Sequence, residues 1–132
     1  MNHVGKALLL IMAVLLLALA VGCGQSRTQI GWVESNLPGS FAASYVSFSG
    51  SEVRTVRANA GETLVLQYAA DVHKGTLGVM VEAPDGEMLW HMSLDEDAED
   101  MVDFPVEQAG RYSIIVRGDG AAGSFDLSWE VE

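Results

Sequence analysis

No segment after Cys23 sustains a 3.6-residue apolar repeat. Instead, short runs rich in Val, Thr, Phe, Tyr and Trp alternate with Gly, Pro, Asn and Asp. A two-residue side-chain period of this kind predicts half-buried strands. Ile30 to Glu34 reads as a short first strand, closed by Asn36-Leu37-Pro38-Gly39. Phe41 to Phe48 and Val53 to Ala58 read as two strands joined by Ser49-Gly50-Ser51; in the second the inward face is ambiguous. Glu62 to Ala70 places Leu64, Leu66 and Tyr68 on one face, and His73-Lys74-Gly75 marks a turn before a strand from Thr76 to Glu82. Ala83-Pro84-Asp85-Gly86 is the clearest turn, because proline fixes φ and Asp-Gly tolerates positive φ. Glu87 to Ser93 returns from it, with Met88, Trp90 and Met92 on one face. Met101 to Phe104, Tyr112 to Arg117 and Phe125 to Val131 follow, the last two separated by the glycine-rich stretch 118–123. About eight short strands at regular spacing predict an all-β domain, a single two-sheet β-sandwich of jelly-roll type.

The N-terminus has a different character. Lys6 precedes an unbroken apolar run from Ala7 to Val21, and Cys23, the only cysteine, follows directly. The run is about 15 residues, short of the roughly 20 that a membrane-spanning helix needs. With small residues before the cysteine it reads as a secretory signal. Ala20-Val21-Gly22-Cys23 resembles the lipobox of bacterial prolipoproteins, with alanine where that family more often has leucine. The resemblance covers residues 1–23. It implies a signal peptide of residues 1–22 and a diacylglyceryl thioether on Cys23, with acylation of the new amino terminus, such as by palmitate. It also implies attachment to the extracytoplasmic face of a cell membrane. Gly24 is not the aspartate that the Gram-negative family associates with inner-membrane retention, which allows the outer membrane in a Gram-negative host. Residues 23–29 form a short polar tether, and residues 30–132 form the β domain. With Cys23 lipidated no disulfide is available, and about 110 residues suffice for one apolar core.

All 18 acidic residues follow Cys23, whereas one of the 7 basic residues, Lys6, precedes it; the whole chain carries −11. Nucleic acid is therefore disfavoured as a partner, since phosphate binding requires a basic face. An anionic bilayer would also repel such a domain over about one Debye length. The expectation from net charge is a lipid that holds the chain end while the body stays off the surface.

Few residues suggest chemistry. Asp95, Asp97 and Glu99 alternate within an acidic loop, as at the start of a calcium loop, and are candidate calcium ligands. Glycine at the sixth position and glutamate at the twelfth, which an EF-hand requires, are replaced by Asp100 and Val106; the plainer reading is a solvated loop. No other cofactor is indicated. His73 and His91 lack metal-ligand spacing, and no nucleophile elbow, phosphate loop or dinucleotide fingerprint occurs. Trp90 and Trp129 sit in apolar stripes that read as core, which leaves Trp32, near the tether, as a candidate ligand-binding aromatic. Ala109-Gly110-Arg111-Tyr112 invites a tyrosine corner.

Three further segments, Ala60-Gly61-Glu62-Thr63-Leu64, Pro84-Asp85-Gly86 and Ala109 to Val116, resemble the turn-and-strand pattern of small β-sandwich modules on secreted bacterial proteins. Pre-peptidase C-terminal-type domains are among these modules. The resemblance covers roughly half the chain and implies a small β-sandwich module; that no catalytic constellation is recognisable argues against an enzyme. The expectation is a lipid-anchored envelope protein that is not an enzyme. It would bind a protein or peptide partner; the alternatives are a cell-wall glycan and, last, a small hydrolase.

Overall fold

A computed structural model describes residues 27–132. Cys23, the signal segment 1–22 and tether residues 23–26 lie outside the described residues. The described chain forms seven strands: β1 Thr28–Ile30, β2 Val33–Leu37, β3 Ser40–Ala58, β4 Thr63–Glu82, β5 Met88–Leu94, β6 Ala98–Pro105 and β7 Gly110–Val131. They hydrogen-bond as one antiparallel sheet in the order β1-β3-β7-β4-β5, with β2 added to β3 and β6 added to β4. The all-β expectation is met, with seven strands among the described residues in place of about eight, but the strands join into a single sheet.

Three strands are far longer than the usual five or six residues: β3 has 19, β4 has 20 and β7 has 22. The segments 49–51, 73–75 and 118–123 do not end strands. They are bends within them, marked by register shifts at Tyr45/Phe48 and Phe48/Gly50 on one side of β7 and at Val72/Lys74 and Lys74/Thr76 on the other. Glycine within a strand gives the same sequence signal as glycine in a turn, but here it lets backbones approach at a bulge. Gly75, at φ +65°, lies against the Asp119 and Gly120 carbonyls, and Gly123, at φ +140°, lies against the Asp71 carbonyl. Neither has room for a Cβ.

The sheet folds over at this crease. Trp90 of β5 pairs with Val81, and Phe104 of β6 pairs with Leu64, at opposite ends of β4. A straight β4 would separate those ends by about 55 Å, yet the Trp90 and Phe104 rings are 6.1 Å apart. The Tyr68 hydroxyl likewise donates across the gap to Met92 Sδ at 2.9 Å. One limb of the folded sheet comprises β2, the start of β3, the end of β7, the start of β4 and β6. The other comprises β1, the end of β3, the start of β7, the end of β4 and β5.

The core fills the space between the limbs. Leu64, Leu66, Tyr68, Ala70 and Val72 face inward before the crease in β4, and Leu77, Val79 and Val81 after it. The inward residues switch from even to odd numbers because the bulge inserts an extra residue, which reverses the alternation. Tyr112, Ile114 and Val116, then Phe125 and Leu127, show the same switch in β7. At the open edge, Arg54 spans the limbs. Its Nε donates to Asn36 Oδ1 at 2.9 Å, Nη2 lies 3.3 Å from Glu34 Oε2 and Nη1 lies 3.3 Å from Glu52 Oε2. Its guanidinium covers the buried Phe41 ring at 3.7 Å.

Candidate functional site

The outer face of the first limb carries the residues that alternate with this core. Register sets them in rows across the strands. Ser35, Ala42, Asp126, Ala69 and Glu99 form one row. Leu37, Ser40, Ser128, Gln67 and Met101 form the next, and Val33, Ser44, Ser124 and Asp71 a third. Serines and alanines predominate in the middle of these rows, and Val33, Leu37, Glu99 and Met101 stand at their ends, so the face is a trough. A hollow of about 420 Å3 lies over Ser35, Ser44, Asp71 and Ser124. A second of about 460 Å3 lies over Gln67, Glu99, Met101 and Ser128. Both are lined by Ala69 and Asp126, which places the exposed Asp126 carboxylate at their junction. Ser124 Oγ donates to Asp71 Oδ2 at 3.4 Å.

The rows hold Asp71, Glu99 and Asp126 and no basic residue. The trough therefore offers hydroxyls, an amide and carboxylates, with Val33, Leu37 and Met101 as apolar rims. A hydroxyl-rich neutral ligand matches that set, because carboxylates and amides accept and donate to hydroxyls without requiring charge on the ligand.

The residues singled out by sequence lie elsewhere, with one exception. Asp97 Oδ1 accepts the Val72 N–H at 2.8 Å and secures the loop to β4. Asp95 is exposed in the bend before β6, and Glu99 stands in β6 beside Ala69, at the rim of the trough. Among the described residues no three His, Cys, Asp or Glu side chains converge as metal ligands. Trp32 is packed in, stacked on Tyr45 at 5.5 Å and edge-on to Phe48 at 5.0 Å, with its buried Nε1 unpaired. Trp90 and Trp129 are half-buried against the core, as is Met92; Met88, expected on the same face as Trp90, is exposed opposite Glu82 because the register shift at Val81/Glu82 reverses the alternation. The Tyr112 hydroxyl donates to the Gln108 carbonyl at 2.7 Å, the backbone bond of a tyrosine corner. Burial pushes Tyr45 up to about 12 and also raises Tyr68, with the Asp100 charge adding to the effect there.

Asp71, Ser124 and Asp126 were not singled out by sequence. For Ser124 and Asp126 the signal was the polar half of an alternation, Ser124, Asp126, Ser128 and Glu130 between Phe125, Leu127 and Trp129; for Asp71 it was its place between Ala70 and Val72.

No family model and no curated protein sequence matches this chain. Solved structures resemble it only at low identity. The carbohydrate-binding module TmCBM61, solved with β-1,4-galactotriose, is 17% identical with a TM-score of 0.49, covering 77% of this chain and 89% of that one. A module from Cellvibrio mixtus lichenase 5A, solved with cellotriose, is 11% identical with a TM-score of 0.44, covering 80% and 86%. The enzymatically active domain of bacteriophage CBA120 tailspike protein 4 is 14% identical with a TM-score of 0.49. The match covers 81% of this chain but only 19% of the tailspike chain.

Proposed function

We propose that this is a non-catalytic binding module whose two sheet limbs act as the layers of a jelly-roll-like sandwich and whose trough takes a neutral glycan. The observation that carries the reading is the trough itself: a face of five strands with serines on three of them, an exposed carboxylate at the junction of two hollows, and no cation in its rows. A protein or peptide partner, the first expectation from sequence, fits this open and small-residue face less well. Interface centres favour large aromatic and arginine anchors, which the rows lack.

In the same reading Cys23 carries the lipid, and the module stands on the extracytoplasmic side of a bacterial membrane, within reach of cell-wall polysaccharide. Calorimetric titration with neutral cell-wall and plant oligosaccharides tests the binding. A saturable isotherm is expected, and Asp126→Ala should weaken it about tenfold or more through loss of hydrogen bonds to a charged acceptor. An isotherm unchanged by Asp126→Ala would place the ligand elsewhere. Absence of oligosaccharide binding, together with a stoichiometric envelope protein in pull-downs, would favour the protein-binding reading instead.

A further inference from the structure

The second limb presents a face opposite in character to the trough. Register lines up Val53, Ile115, Met80 and His91 across its four longer strands. Val53 is 49% exposed, and nearby Met88 and Leu89 are 44% and 38% exposed. Arg57 and Arg111 are directly opposed on β3 and β7, both exposed. Like charges opposed in a sheet repel each other, and among the described residues neither forms a salt bridge, in a chain with 18 carboxylates. Arg117, whose Nε donates to Ser51 Oγ at 3.3 Å, adds a third cation to this face. The carboxylates of its rows are Glu82, beside Ser113, and Asp119, beside Thr76 at the crease.

We propose that this face lies on an anionic lipid bilayer. The inference rests on the reading that Cys23 is lipidated. Two observations choose that occupant. The first is charge complementarity: each arginine near an anionic leaflet strengthens attraction about fivefold, and exposed apolar side chains can enter the interface. The second is where the described chain begins. Arg27 ion-pairs with Glu52 and lies against Gly50, so the chain enters at the edge of this same limb. Cys23 precedes Arg27 by four residues, a reach of at most about 14 Å. A lipid that close holds this limb, and not the trough, next to the membrane. The net charge of −11 suggested a body held off the surface. Its segregation makes one face attractive and turns the acidic trough outward.

The test uses the lipoprotein reconstituted in vesicles containing phosphatidylglycerol, and in vesicles of phosphatidylcholine alone. A thiol-reactive fluorophore is placed at Thr55→Cys on the basic face or at Ser44→Cys in the trough. Headgroup-bound quencher should reduce the Thr55→Cys signal at least about twofold more than the Ser44→Cys signal. That difference should appear in the anionic vesicles only and fade as salt shortens the Debye length. Arg57→Gln with Arg111→Gln should remove it while the circular dichroism spectrum stays that of the parent. Equal quenching at both positions, or stronger quenching in the trough, overturns the proposal. The parent protein reports on the anchor separately: a lipidated Cys23 takes no label, and labelling of the parent refutes the anchor and the docking with it.

Discussion

Arg54 closes the edge at which the two limbs meet, so its removal is the sharpest test of a single side chain. Arg54→Ala uncovers the Phe41 ring and leaves Glu52, which is 15% exposed, without this partner. The pair is partly solvated, so the expected loss is about 1–2 kcal/mol in urea unfolding. Arg54→Lys should not restore it, because an ammonium cannot reach Asn36, Glu34 and Glu52 at once as the planar fork does. Tyr45 makes a second prediction, in pH. Burial raises its folded-state value from 10.0 to about 12, so the unfolded chain gives up its proton first. Stability is therefore complete below pH 10 and falls between pH 10 and about 12, by about 2–3 kcal/mol. Tyr68 is shifted in the same direction and contributes with the same sign. Denaturant midpoints measured across that range should decline for the parent and decline less for Tyr45→Phe.

The turn at Ala83–Gly86 was readable in sequence because proline and Asp-Gly demand one local geometry. It is found there, with Gly86 N–H donating to the Ala83 carbonyl at 2.9 Å. The bends at Gly50, Gly75 and Gly118–Gly123 were not distinguishable from turns. A glycine that reverses a chain and a glycine that lets another backbone pass over it differ only in partners distant in sequence. Once a bend is taken for a loop, the reversed alternation beyond it is lost as well, which is why the Val53–Ala58 faces stayed ambiguous. The trough was illegible for a related reason: its parts are scattered over five strands, each looking like an ordinary solvated face. A direct check compares two glycines. Gly86 sits at φ +88° with open space around it, whereas Gly123 abuts the Asp71 carbonyl. Gly86→Ala should cost about 1 kcal/mol for its dihedral alone. Gly123→Ala must also displace backbone at the crease and should cost several-fold more in the same unfolding assay.

At the scale of the molecule, the three long strands belong to both limbs. β3, β4 and β7 each cross the crease, so neither limb can detach without tearing strands that the other also uses. Separate sheets could open one at a time, as independent local units do. Here the amides on either side of the crease, such as those of Leu66 and Val79, should exchange with solvent at a common rate set by whole-domain opening, with the same denaturant dependence. An outer surface built this way inherits its rigidity from strands that continue into the opposite surface. A ligand seated in the trough would thus slow deuterium uptake at buried amides on the far side, without any change of shape passing between them.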